Sequence, residues 1–149
     1  MIEMVNRLEQ LLSSGLAYVS ESSELELAKK PSPTKWSKRE ILGHLVDSGI
    51  NNLQRFTEIQ FENRPYQVRK YRQDELVKAN DYQHTATEVV VDLWLSVNKQ
   101  IMNVIARQTD ATLSYEVTLG EGQMVDLKFL MTDYIDHLEH HLHQIIEQK

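Results

Sequence analysis

Four stretches of this chain repeat their apolar residues every three or four positions over about twenty residues each, the period of an amphipathic α-helix. The first, over about 2–22, is marked by Ile2, Val5, Leu8, Leu12, Leu16 and Val19. The second opens at Ser37 with Glu40 three positions on, a capping box that satisfies otherwise unpaired backbone donors, and is predicted to reach about Glu62, short of Pro65. The third, over about 86–107, carries Val90, Leu93, Trp94, Val97, Ile101, Val104 and Ile105 behind a second capping-box match, Thr85 with Glu88. The fourth, over about 127–147, carries Leu127, Leu130, Met131, Tyr134, Ile135, Leu138, Leu142, Ile145 and Ile146. Such stripes are stable only when buried against one another, so the predicted fold is all-α, a four-helix bundle. With 5 Gly and 3 Pro in 149 residues, little of the chain is built for tight turns, and residues 1–149 form one predicted domain.

The connections are less regular. Pro31-Ser32-Pro33 separates the first two helices. Residues 63–84 are polar and aromatic and too many for a bare loop, so a short helix is expected at about 74–78. A connection of that length leaves room for a crossover. Alternation over 113–119, followed by Gly120-Glu121-Gly122-Gln123, predicts a small β-hairpin pairing with 124–126 that must lean on the helices.

Charge and composition narrow the function. A net charge of −6 speaks against a nucleic-acid partner, whose proteins show a basic patch, and the one basic cluster, 64–72, reads as a solvated loop. No uninterrupted apolar stretch of signal-peptide length opens the sequence and no segment was read as a membrane span, so the expectation is a cytoplasmic protein with no membrane partner. The chain has no cysteine, which removes thiolate metal ligands and a cysteine nucleophile. Any thiol chemistry must use a thiol carried by the substrate.

The histidines separate by helical position. On the fourth helix His141 projects within the apolar arc and His137 sits at its edge, while His140 and His143 point to the polar side with Asp133, Asp136 and Glu139. An imidazole among aliphatic side chains has nitrogens to satisfy, at about 1–3 kcal/mol if left unpaired. A hydrogen bond or a metal ion meets that need, and the i, i+4 pair is also the geometry of metal-binding helices. On the second helix Ile41, Leu42, Leu45, Val46, Ile50, Leu53 and Phe56 fill one arc, leaving Glu40, His44, Asp47, Ser48, Asn51 and Arg55 on the other. Periodicity does not decide whether that polar arc meets water or lines a cavity.

The segment from Trp36-Ser37 through His44-Leu45-Val46-Asp47-Ser48, the Asn51 and Arg55-Phe56 continuation, the glycine hairpin and the terminal His137-x-x-His140-His141-x-x-Gln144 together resemble the DinB/YfiT superfamily. The nearer likeness is to its YfiT-type branch of metal-dependent hydrolases and bacillithiol S-transferases, and it spans nearly the whole chain. The resemblance implies a divalent metal held by His44, His137 and His141, with His140 outside the triad. It also implies a bundle with an unusual crossover and frequent homodimers.

Three neutral imidazoles leave coordination positions open, the pattern of a catalytic site. Such a site lowers the pKa of a bound water towards about 7 for attack on an ester or amide. It can equally deprotonate a low-molecular-weight thiol for attack on an electrophile, and that thiol-transferase reading comes from the resemblance. Zinc or nickel suits imidazole best, with iron and manganese also accommodated. Asp47, one turn from His44, is a candidate to orient it or act as a base, and equally an ordinary surface carboxylate. Asn51 is a candidate contact for substrate or water. The expected function is thus metal-dependent hydrolysis or thiol S-transfer on a small molecule, against the alternative of a non-catalytic helical module using its surface for partners.

Overall fold

The Ser37 capping box is present: the Ser37 hydroxyl accepts from the Glu40 amide and the Glu40 carboxylate accepts from the Ser37 amide, each at 3.1 Å. The helix it starts is Lys38–Glu58 in a computed structural model that describes residues 1–148. In chain order the elements are α1 (Ile2–Glu21), α2 (Glu24–Ala28), α3 (Lys38–Glu58), β1 (Tyr66–Gln67), α4 (Gln73–Ala79), a 3-10 turn (Tyr82–His84), α5 (Thr87–Ala106), α6 (Asp110–Leu113), β2 (Glu116–Thr118), β3 (Met124–Asp126) and α7 (Leu127–Glu147).

Helices α1, α3, α5 and α7 form the bundle. The main packings are α3 on α5, α1 on α5, α1 on α7 and α3 on α7. Thus α1 and α3 occupy opposite corners, as do α5 and α7, and two of the three connections between successive long helices cross a diagonal. A simple up-and-down bundle would place every successive pair side by side. Trp94 is fully buried in the centre of the core. Gly15 makes room for it: a Cβ there would lie 2.5 Å from the indole. The glycine that weakens the periodicity of α1 is therefore where α1 packs against α5.

Several expectations need correction. The second helix ends at Glu58 and gives way to a turn over the next residues, short of Glu62. The Thr85–Glu88 capping box does not form: α5 begins at Thr87, its N-cap is Ala86, and the Thr85 hydroxyl donates instead to the Asp81 carbonyl at 2.8 Å. The short helices α2 and α6 escape periodicity because five and four residues are too few to show it. Ile50, assigned to the apolar arc, is 48% exposed. One helix among the described residues, Thr87–Ala106, is long and apolar enough to cross a membrane by length and composition, contrary to the sequence reading. Here Val90, Val91, Trp94, Ile101, Val104 and Ile105 are buried in the bundle core, while Leu93, assigned to the same apolar side, is exposed.

The small sheet fixes the connector and the start of α7. β2 and β3 pair antiparallel with Val117 opposite Val125, as the hairpin reading expects. β1, unforeseen in sequence, joins β2 in parallel through Tyr66 and Val117 and pins the connector to the bundle. Asp126 ends β3 and caps α7, its carboxylate accepting from the Phe129 amide at 2.8 Å. The hairpin therefore sets the rotational phase from which His137 and His141 project.

Candidate metal centre

His44 lies on α3 with none of its surface exposed, the reverse of what a polar arc suggests. Helix α7 covers it from one side and Trp36 from another, with the Trp36 and His44 rings 5.0 Å apart between centroids. Across the α3–α7 seam its ring meets those of His137 and His141, at centroid distances of 5.1 and 4.7 Å. His137 and His141, one turn apart on α7, are 4.5 Å apart and both half-buried. One ligand-capable nitrogen from each of the three lies within 4.8 Å of the other two. The structure thus gathers the three histidines expected from sequence, and His140 and His143 remain exposed on the outer side of α7.

The chemistry of this donor set fits a divalent ion. Two imidazole nitrogens bound to one tetrahedral zinc at about 2.0–2.1 Å sit roughly 3.3–3.4 Å apart. His44 Nε2 and His137 Nε2 are 3.2 Å apart. On His141, Nδ1 donates to Gln144 Oε1 at 2.9 Å, which leaves the Nε2 lone pair free for a metal. All three imidazoles are held neutral. Burial first, then its two histidine neighbours, lowers the pKa of His44 to about 3. Burial and the neighbouring His141 and His140 lower His137 to about 4. Burial also lowers His141, against the opposing pull of its Gln144 hydrogen bond. Lone pairs are therefore available at neutral pH, the protonation state a metal requires.

Asp47 departs from the surface-carboxylate reading and from that of a group orienting His44. It is 3% exposed and so is no surface carboxylate. Its Oδ1 accepts from the Tyr82 hydroxyl at 2.6 Å and from the Asn80 amide at 3.1 Å. Neither its Oδ2 nor His44 Nδ1 has a protein hydrogen-bond partner among the described residues, so Asp47 does not directly orient His44. Burial pushes the Asp47 carboxyl up, partly offset by the two hydrogen bonds. Gly43 makes the arrangement possible, because a Cβ there would lie 2.2 Å from the Tyr82 ring. Tyr82 lies against the backbone of α3 one residue before His44 and clamps Asp47 in place. Asn51 donates to the Asp47 carbonyl at 2.9 Å, half-buried on the same side of α3 two turns beyond His44.

Sequence reasoning gave no role to Trp36, Tyr82, Asn80 or Gln144. Gln144 carried a usable signal, since an amide three residues after a helical histidine can reach its ring. The pairing of Tyr82 and Asn80 with Asp47 depends on how residues 63–84 return to α3, and no local pattern encodes that path.

The profile of the DinB superfamily matches residues 7–145. The chain belongs to the DinB superfamily. A relative named "putative metal-dependent hydrolase" from Halalkalibacterium halodurans is 28% identical over 126 residues, covering 82% of this chain and 70% of that protein. Among solved structures, YfiT from Bacillus subtilis, described as a probable metal-dependent hydrolase with an unusual four-helix bundle topology, superposes with a TM-score of 0.87 at 19% identity. That match covers 97% of this chain and 83% of YfiT. The mycothiol-dependent maleylpyruvate isomerase superposes with a TM-score of 0.73 at 12% identity, over 94% of this chain and 58% of the isomerase. At these identities the two structures speak for the fold alone. They agree with the diagonal helix order of this DinB-superfamily bundle and with its mainly α-helical class.

Proposed function

We propose that this protein is a metal-dependent enzyme acting on a small molecule, with His44, His137 and His141 holding one divalent ion, zinc or nickel by ligand preference. The carrying observation is the convergence of three neutral imidazoles from two helices, with the 3.2 Å spacing of His44 Nε2 and His137 Nε2 matching two ligands of one ion. When bound there, a divalent ion supplies Lewis acidity that lowers the pKa of a water or thiol at an open position. The residues of the chain supply the rest. Gln144 holds the proton of His141 on Nδ1, and Trp36 shields the face of His44 from water. Tyr82 and Asn80 hold Asp47 against α3, and Asn51 presents its amide beside it, placed to contact substrate.

Of the two reactions, thiol S-transfer is the one we favour. The support is that one structural relative is named for its dependence on mycothiol; the absence of cysteine in the chain is compatible with a thiol carried by the substrate but does not favour it. Hydrolysis is the reading carried by the names of the other two relatives. Metal analysis of the purified protein, paired with a panel of low-molecular-weight thiols and electrophiles and a model ester, tests the proposal. One divalent ion per chain, lost in His141→Ala, with turnover lost in His137→Ala, is the expected result. Protein that takes up neither zinc nor nickel refutes the metal site, and a metal-loaded protein inert to the whole panel refutes the enzyme.

A further inference from the structure

Beyond the histidines, the side of α3 that carries His44 continues through Asn51, two turns on and about 10 Å along the axis, to Arg55, a third turn on. Both line a cleft of about 590 Å³ whose far wall is the connector, with Tyr66, Arg69 and Lys70, and whose end is marked by Glu58. Of the residues that line it, Asn51 is the one nearest His44 along α3. Arg55 and Asp133 of α7 feel each other's charge, and Asp133 lies one turn before His137.

Arg55 is the unusual residue. It is half-buried, and buried charges are ordinarily paired. Yet it forms no ion pair among the described residues. Asp133 is the carboxylate whose charge it feels, without closing to an ion pair, and Glu58 of the same cleft is occupied, accepting from the Tyr66 hydroxyl at 2.7 Å and from Gln54 at 2.7 Å. The guanidinium is nonetheless fixed: one nitrogen donates to Asn52 Oδ1, another to the Arg69 carbonyl, and the group lies 5.4 Å from the Tyr71 ring centroid. Of its five N–H donors, three remain unassigned. An oriented, partly desolvated guanidinium with free donors matches a carboxylate in two-pronged geometry. Arg69 and Lys70, exposed at the rim, add two further positive charges to a chain whose net charge is −6.

We propose that this cleft is a carboxylate-binding subsite, in which Arg55, with Arg69 and Lys70 at the rim, takes the anionic end of a substrate whose reacting end lies at the histidines. Subsite function rests on the metal-enzyme reading, whereas carboxylate binding by the cleft does not. The substrate class is then a carboxylate-bearing small molecule with its anionic group on the order of 15 Å from the reacting atom, the rise of three helical turns. The Asn51 amide lies between the two ends.

The test is a succinate titration of metal-free protein followed by amide NMR, run on wild type, the rim variant Arg69→Gln/Lys70→Gln, and Arg55→Lys. Zinc uptake is measured on all three. Wild type should show saturable shifts over 51–70 that weaken with salt. Each variant should bind about tenfold more weakly or worse, the scale of one charge-assisted hydrogen bond, while still taking up zinc. No saturable shift in wild type, wild-type affinity in both variants, or binding that appears only with zinc present would overturn the subsite. Succinate binding without zinc uptake would sink the metal reading and leave the carboxylate site standing; zinc uptake without succinate binding would do the reverse.

Discussion

Gln144 offers the cleanest probe of the proposed centre because its side chain touches one of the proposed ligands without belonging to the core. It is exposed, and its Oε1 accepts the Nδ1 proton of His141 at 2.9 Å. Gln144→Ala leaves helix and packing intact and removes only the group that selects the His141 tautomer. Partners of metal-ligating histidines are typically worth 10–100-fold in metal affinity. Exposure places this one near the lower bound, so we expect about a tenfold loss, or roughly 1.4 kcal/mol. Gln144→Glu supplies a stronger acceptor at the same position and should bind at least as tightly as wild type. His140→Ala is the control: that ring lies 5.1 Å from His141 but makes no hydrogen bond to it, and affinity should hardly change. Competition against a chelator of known zinc affinity reads the series in one assay. Alanine binding as tightly as glutamine, or glutamate more weakly than alanine, would refute the tautomer argument.

Acid acts on the same groups. His44 and His137 titrate in the folded metal-free protein at about 3 and about 4, and His141 below its ordinary value, all under the roughly 6.5 of an unfolded chain. The unfolded state therefore takes up protons first, so stability is full above about pH 6.5 and falls as pH drops towards the folded values. Thermal melts of metal-free protein should be flat above that pH and decline below it, with a shallower decline in His44→Gln. Equal slopes would show that His44 is not held neutral by burial. Gly43→Ala would ordinarily favour a helix by up to about 1 kcal/mol. Here the added methyl meets the Tyr82 ring at 2.2 Å, so the variant should be destabilised by about 1–3 kcal/mol in urea, the usual scale of overpacking. A stabilised variant would mean that Tyr82 does not clamp α3.

The four long helices were legible because each buries one stripe along twenty or more residues, and α7 was read to its observed bounds. Periodicity says which residues share a side, but not what lies opposite. On α3 it sorted Glu40, His44, Asp47 and Ser48 as polar, and all four are buried: α7 closes over His44, the Tyr82 turn over Asp47, and Lys30 of the preceding connector pairs with Glu40. The sequence could not reveal this, since His137 lies 93 positions from His44 and the diagonal helix order has no local signature. The same wheel placed Ile50 inside, where no neighbouring helix covers it. His137 and His141 were legible together because their relation is internal to one helix. His44 depended on the family resemblance, and the structure buries it beside His137 and His141. Residues 64–72 read as a solvated basic loop; Arg69 and Lys70 are exposed as expected, but β1 folds them into a cleft wall beside Arg55.

The diagonal order of the helices also bears on when the centre comes into being. His44 and His137, 93 positions apart, meet only after the chain between them has looped out and returned, and such long-range closure is entropically costly until the surrounding core rewards it. A partly folded bundle, however helical, has the two halves of the site on separate strands of chain. Uptake of the proposed metal during refolding should accordingly lag behind helix formation and coincide with core assembly, so that its arrival would time the final docking of α7 onto α3.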